Sequence, residues 1–422
     1  MTMIVNILIF AAGLAIYGGY GIPGLCYLLG ATAVSYLAGL LTPKCRWVMI
    51  PCVAVNVAAL VLVKAQPVLG WELVAPLGIS YFTLQIIAYN VDVFRGKYPP
   101  ERNPFRYALC ITYLPHLFIG PIEPYDKMQQ AVFQGRRITW DGLSVGGARL
   151  VWGLFKKFVI AARAGVIVGA ISGDPEQYRG AFALAAMLMY SVQLYADFSG
   201  GIDMVLGGSR MLGITMSENF DAPYFSQSFQ EFWRRWHMTL GTWLRTYVYI
   251  PLGGNRKGKV RKLFNSIATF VVSGLWHGIH YVLWGLINGI FVACGDRFAT
   301  RSKLLNRLGT FFLITLLWSF FVWPDTMTAV KMVGSVFTVF NYGAFFAAVG
   351  TLGLTLGDWI VLAAAVALLW LYDWKRSAIW DGIHALAPAG RTAVICTLGL
   401  LVLIFGMYGI GFNASEFIYS RF

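Results

Sequence analysis

The feature that most limits what this chain can fold into is a series of long apolar runs recurring from one end to the other. Ile4 to Tyr17, Gly24 to Leu41, Val48 to Val63, Phe182 to Leu194, Phe311 to Val322, Val361 to Leu371 and Val394 to Ile410 contain no charged side chain. Several approach the length, about 20 residues, that carries a helix across a bilayer core. Hydrophobic residues make up 58% of the 422 and charged residues 12%, with a mean hydropathy of +0.65. A soluble domain of this length needs far less to fill its core, so much of the surface faces lipid. The sequence therefore reads as an all-α integral membrane protein with about ten or eleven transmembrane helices, plus re-entrant or interfacial helices where apolar runs are interrupted.

The net charge of +14 is carried by Lys and Arg in short loops between apolar runs. That pattern fits cytoplasmic anchoring against anionic membrane lipid, and no nucleic-acid partner is expected. Met1 to Tyr20 lacks a basic start and a small-residue cleavage site, which reads as a retained helix. The six cysteines have no CxxC spacing, so neither a disulfide framework nor a metal site is expected.

With no internal repeat and no long polar linker, residues 1–422 read as a single membrane domain with a core at 76–289 and a tail at 412–422. The middle, from Pro115 to about Gly295, mixes Pro, Gly and charge into apolar stretches. In a bilayer such backbone survives only where protein or a water-filled cavity covers it. Lys375, Arg376 and Arg391 flank the loop before the last apolar run. That loop is expected in the cytoplasm and the tail after Gly411 outside.

Two of the five histidines stand out. His277 lies in Val271-Val-Ser-Gly-Leu-Trp-His-Gly278, an otherwise apolar segment. A titratable ring in hydrocarbon usually faces an interior cavity and a partner, and an imidazole can take a proton from an attacking hydroxyl and return it to a leaving group. The same residue also reads as a buried histidine bonded to a neighbouring helix. His237, in Glu231-Phe-Trp-Arg-Arg-Trp-His237, reads equally as part of an interfacial anchor.

The co-linear motifs decide between these readings. Gly120-Pro-Ile122, Tyr195-Ala-Asp-Phe-Ser-Gly-Gly-Ile-Asp203, Ser217-Glu-Asn-Phe-Asp-Ala-Pro-Tyr-Phe-Ser226, Glu231 to His237, Tyr249-Ile-Pro-Leu-Gly-Gly-Asn-Arg256 and Ser273-Gly-Leu-Trp-His-Gly278 together resemble the bacterial membrane-bound O-acyltransferases, over about Pro76 to Gly289. The likeness is to the alginate O-acetylation type more than to the teichoic-acid D-alanylation type. It implies a central tunnel joining the two membrane faces, with His277 as the catalytic histidine at its middle and His237 as a second catalytic or tunnel-lining one. Trp233, Arg234, Arg235, Asn219, Trp276, Asn255 and Arg256 are the implied substrate-binding residues. One departure is Arg245-Thr246-Tyr247, where the family pattern leads one to expect Asp after Arg.

Phe417-Ile-Tyr-Ser-Arg-Phe422 resembles the Phe-x-Tyr-x-x-Phe ending of envelope-acylation systems. The resemblance implies that Tyr419 receives the acyl group and offers it outside, with Phe417, Arg421 and Phe422 anchoring the tail. A phenol leaves more readily than an alkyl alcohol, so its ester can acylate a sugar later. No tightly bound cofactor is expected. The expected donor is a cytoplasmic thioester, acetyl-coenzyme A or an acidic acyl carrier protein, drawn to Arg234, Arg235, Arg256, Lys257 and Lys259. The resemblance implies, as final partner, an extracytoplasmic transferase of the SGNH-hydrolase type acting on an envelope polysaccharide, and, as site of action, the bacterial plasma membrane. Rival readings are D-alanine transfer to teichoic acid and a polytopic transporter of an envelope precursor.

Overall fold

A computed structural model describes residues 2–71, 75–134, 137–295, 300–323 and 325–408, and among them every regular element is helical. The tail residues Phe417, Tyr419, Arg421 and Phe422 lie outside the described residues. In chain order the helices are α1 (Thr2–Gly19), α2 (Ile22–Leu41), α3 (Met49–Leu69), α4 (Ile79–Phe94), α5 (Pro104–Ile111), α6 (Leu114–Ile119), α7 (Tyr125–Phe133), α8 (Trp140–Phe155), α9 (Ala162–Ser172) and α10 (Ala181–Met211). They continue with α11 (Phe229–Arg235), α12 (Met238–Leu244), α13 (Gly258–His277), α14 (Val282–Cys294), α15 (Lys303–Leu317), α16 (Ser319–Val322), α17 (Thr326–Thr338), α18 (Tyr342–Ala348), α19 (Leu356–Ala385) and α20 (Pro388–Phe405).

Among the described residues six helices are long and apolar enough to cross a membrane, and the pair Thr326–Thr338 and Tyr342–Thr351, bent by 110°, makes up to seven. The ten or eleven expected from sequence also take in shorter apolar runs. Met3–Gly19 and Ile279–Cys294 are shorter apolar helices, and α13 opens on Lys259, Arg261 and Lys262.

Hydrogen bonds and ion pairs assign helix ends to two faces. Arg46 donates to the Phe94 carbonyl, Arg95 to that of Thr246, and Asp141 pairs with Arg210 and Arg391. These gather the basic loops at one end of the bundle. At the opposite end Arg163 meets Asp358 and the Phe405 carbonyl.

Glycines bring the central helices together. A Cβ on Gly146 would stand 2.6 Å from the Gly207 carbonyl oxygen, and one on Gly153 would stand 2.5 Å from that of Gly200. Spaced two turns apart on α8 and on α10, these small residues let the backbones touch. A π-helical turn at Lys156–Ala161 then joins α8 to α9 and carries two buried lysines. Lys156 pairs with Asp203 at 2.6 Å, Lys157 with Asp197 at 2.8 Å, and Arg149 with both Asp203 and Glu218. Tyr195 donates to Asp373 of α19. The polar residues of the Tyr195–Asp203 motif are thus spent on joining α8, α10 and α19. Buried charge is costly unless paired, so the network fixes how these helices meet more than it adds stability.

Apolar packing falls into two clusters. One is built on α8 to α10 with α15 to α19, the other on α1 to α7 with Leu240, Leu244 and Trp276. The two histidines sit on the seam. His237 meets Phe198 of the first cluster edge-on at 4.9 Å and Trp276 of the second at 6.2 Å.

Candidate active site

His277 is the last residue of α13 because Gly278 follows it at φ 147°, a backbone conformation that side-chain-bearing residues rarely adopt. Gly274 makes the reversal tight. A Cβ there would lie 2.4 Å from the Tyr281 carbonyl oxygen, and Gly285 and Gly289 are equally crowded by Phe270 and Ile267. The Ser-Gly-Leu-Trp-His-Gly sequence therefore builds a close α13–α14 hairpin whose bend presents the imidazole. Trp276, Trp284 and Phe321 frame the ring at 4.7, 5.6 and 5.6 Å.

His237 caps α12 at φ 45°, in the left-handed region that non-glycine residues adopt only under constraint. The constraint comes from Asn219, which is fully buried. Its backbone carbonyl accepts Met238 N–H at 3.0 Å. Its side-chain oxygen accepts the Thr239 N–H at 3.0 Å and the Thr239 hydroxyl at 2.9 Å, and stands 3.3 Å from His237 Nδ1. A backbone N–H can only donate, so that atom of Asn219 is oxygen and Nδ1 is the donor towards it. Nε2 is then the basic nitrogen of the neutral ring. Thr239 is braced in turn by the Ile122 N–H, within Gly120-Pro-Ile122.

Both imidazoles line one cavity of about 360 Å³. From its basic end to His277 one wall is a stripe of α13: Lys262, Ser266, Thr269, Ser273 and His277. These residues recur at three- and four-residue spacing and so share one face. Trp233, Arg234, Arg245 and Tyr249 also line it, and no Asp or Glu does among the described residues. The departure at Thr246 leaves Arg245 on this cavity while the Thr246 carbonyl accepts Arg95. On its other side His277, with Trp276, lines a second cavity of about 150 Å³ bordered by Lys64, Ser80, Tyr81 and Phe118.

Of the residues singled out from sequence, His237, His277, Trp233 and Arg234 meet in the larger cavity, Trp276 stands beside both rings, and Asn219 holds His237. Arg235 pairs with Glu231 and lines a separate polar cavity. Asn255 and Arg256 are exposed and line neither histidine cavity, and Lys257 and Lys259 are exposed with them. Sequence reading passed over Lys262, Ser266, Thr269 and Ser273, although stepping back from His277 by helical spacing would have found them. Among the described residues no group of His, Cys, Asp or Glu gathers to hold a metal ion.

A model of the membrane-bound O-acyltransferase family matches residues 97–343, which include both histidines and the whole α13–α14 hairpin. The chain belongs to that family. Among curated relatives of this O-acyltransferase, the probable alginate O-acetylase AlgI of Pseudomonas syringae pv. tomato is 32% identical over 365 residues, covering 79% of this chain and 70% of the relative. The peptidoglycan O-acetyltransferase of Helicobacter pylori is 34% identical, over 62% of this chain and 56% of that protein. The teichoic acid D-alanyltransferase of Bacillus subtilis is 28% identical, over 55% of this chain and 62% of that protein. The chain is thus an O-acyltransferase of the bacterial plasma membrane, with helices long and apolar enough to span it.

Proposed function

We propose that this acyltransferase takes an acetyl group from a cytoplasmic thioester, places it on Tyr419, and supplies it for O-acetylation of an extracytoplasmic envelope polysaccharide. The observation that carries the reading is that His277 borders two cavities, one edged by Arg234, Arg245 and Lys262, the other on its far side. The positive-inside rule puts the basic end of the first cavity in the cytoplasm, where the phosphates of acetyl-coenzyme A or an acidic carrier would be attracted to it.

His277 takes the proton of the Tyr419 hydroxyl as its oxygen attacks the thioester carbonyl. A carbon–oxygen bond forms, the carbon–sulfur bond breaks, and the sulfur leaves as a thiol carrying the proton from the imidazolium. Holding donor and phenol against one ring removes much of the entropic barrier to their encounter. His237, its tautomer set by Asn219, is the second acid–base group or shapes the wall beside the thioester. A transferase of the SGNH-hydrolase type then moves the acetyl group to the polymer.

Acetyl is favoured over D-alanyl because the cavity presents cations and, among the described residues, no carboxylate to an aminoacyl ammonium. The intact mass of the tail peptide from active cells tests both points. An acetyl increment on Tyr419 is expected. An alanyl increment would replace the donor, and an unmodified tyrosine in cells that acetylate their polymer would end the relay.

A further inference from the structure

The smaller cavity contains two groups that the mechanism above does not use. Lys64 is the only charged residue between Trp47 and Gln66 on an otherwise apolar spanning segment. No ion pair or hydrogen bond engages it among the described residues, yet it lines the same cavity as His277. Tyr81, at the start of α4, is 5% exposed, and its hydroxyl meets no partner among the described residues. Its ring stands edge-on to Trp276 at 6.2 Å.

An ammonium in a membrane helix and a buried phenol without a partner each carry an unpaid desolvation cost, and such groups mark function more often than packing. The bland alternative for Lys64 is snorkelling to the nearby interface at the end of α3. That alternative leaves the Tyr81 hydroxyl unexplained. It also leaves unexplained why both groups share a wall with the histidine.

Transfer to a hydroxyl supplies what both groups lack. As His277 withdraws the proton, negative charge builds on the acceptor oxygen and passes to the carbonyl oxygen. In a water-poor cavity this is the charge that a preplaced cation and hydrogen-bond donor stabilise most. The walls also discriminate. Phe118, Trp276, Pro76 and Ile79 surround about 150 Å³, and a sugar ring there would bury several hydroxyls against carbon, each at a cost. An aromatic ring with one hydroxyl has no such conflict.

We propose that Lys64 and Tyr81 form the acceptor half of the site and activate a phenolic hydroxyl against His277. This rests on the relay reading above, and the test separates the two. Purified full-length protein in proteoliposomes, supplied with radiolabelled acetyl-coenzyme A, is followed by thiol release and by label on the chain, for His277→Ala, Lys64→Met, Lys64→Arg and Tyr81→Phe. Lys64→Met is expected to lower the single-turnover rate of chain labelling about 10- to 100-fold at an unchanged half-saturating donor concentration, and Tyr81→Phe about 10-fold, with Lys64→Arg restoring most of the rate. Removing an ammonium from the membrane interior should leave the melting temperature of Lys64→Met equal or higher, which a merely structural lysine would not do. A wild-type labelling rate in Lys64→Met, or loss in both Lys64 variants together with a fall in melting temperature, would overturn the acceptor role while the relay stood. Undiminished labelling in His277→Ala would instead bring down the relay itself.

Discussion

The side-chain oxygen of Asn219 accepts two hydrogen bonds from Thr239 and stands 3.3 Å from His237 Nδ1, so one buried amide sets both the backbone and the tautomer of the second histidine. Asn219→Leu keeps the volume and removes the acceptor. The Thr239 N–H and hydroxyl lose their partner, and the left-handed conformation at His237 loses its brace. A stability loss of about 1–3 kcal/mol follows from the orphaned donors, and acyl transfer should fall at least about 10-fold as His237 leaves its tautomer. Melting temperature and transfer rate, measured on the same preparation, check both. A variant that loses stability but transfers at the wild-type rate would remove His237 from the chemistry.

The cavity face of α13 makes a second expectation specific. Lys262 and Arg245 line the basic end of the larger cavity, whereas Arg256, Lys257 and Lys259 line neither histidine cavity. Lys262→Ala and Arg245→Ala should each raise the donor KM several-fold with little change in kcat, and the penalty should shrink as salt rises. The three loop substitutions should do less individually. Equal effects from all five would mean that the donor is attracted to the face as a whole and that the cavity edge has no privileged part.

How much of this was legible beforehand depends on whether the information is local. Lipid exposure, helicity, His277 and the Ser273–Gly278 hairpin can be read from runs and motifs, because hydrophobic length and a glycine-flanked turn are properties of neighbouring residues. Run length says nothing about bends such as that between α17 and α18, which only the structure displays. Motif and charge group Arg235 and Arg256 with Arg234. Helix phase sends Arg235 to Glu231 and Asp221, and a turn leaves Arg256 exposed. Lys64 and Tyr81 meet His277 across more than 190 residues of sequence, and no local pattern reports that meeting.

The glycine contact between α8 and α10 gives a stability expectation with no bearing on chemistry. Gly153 faces the Gly200 carbonyl and Met204 at distances that admit no side chain. Gly153→Leu should force the helices apart and cost about 1–3 kcal/mol or more. It should also carry Lys156 and Lys157 away from their carboxylates on α10, which are 2.6 and 2.8 Å away. The expected outcome is a lower melting temperature with Gly153→Ala between Leu and wild type. A wild-type melting temperature in both variants would mean that the helices do not touch there.

Glu218, in the loop before Asn219, provides a pH expectation whose sign follows from its partners. Burial raises the pKa of its carboxyl, but hydrogen bonds from Arg149 and the charges of Arg149 and Arg376 outweigh that and hold it below the usual carboxylate range. A carboxylate with a depressed folded pKa contributes stability that is fully present above its unfolded value, about 4.3, and is lost as pH falls through the folded one. Its bidentate pair with Arg149 at 2.6 Å and its contact with Arg376 at 2.7 Å tie α8 and α19 to the loop that carries Asn219. Glu218→Gln should therefore melt below wild type at neutral pH, and the gap should narrow as pH drops under about 4.3, where the unfolded chain takes up the proton first, and close as pH passes the lower folded value. Because the same loop positions His237, transfer activity in Glu218→Gln should fall at neutral pH without any change in the donor's affinity for the basic cavity edge. A melting gap that stays constant from pH 7 to pH 3 would mean that the carboxylate contributes shape to this loop and no charge.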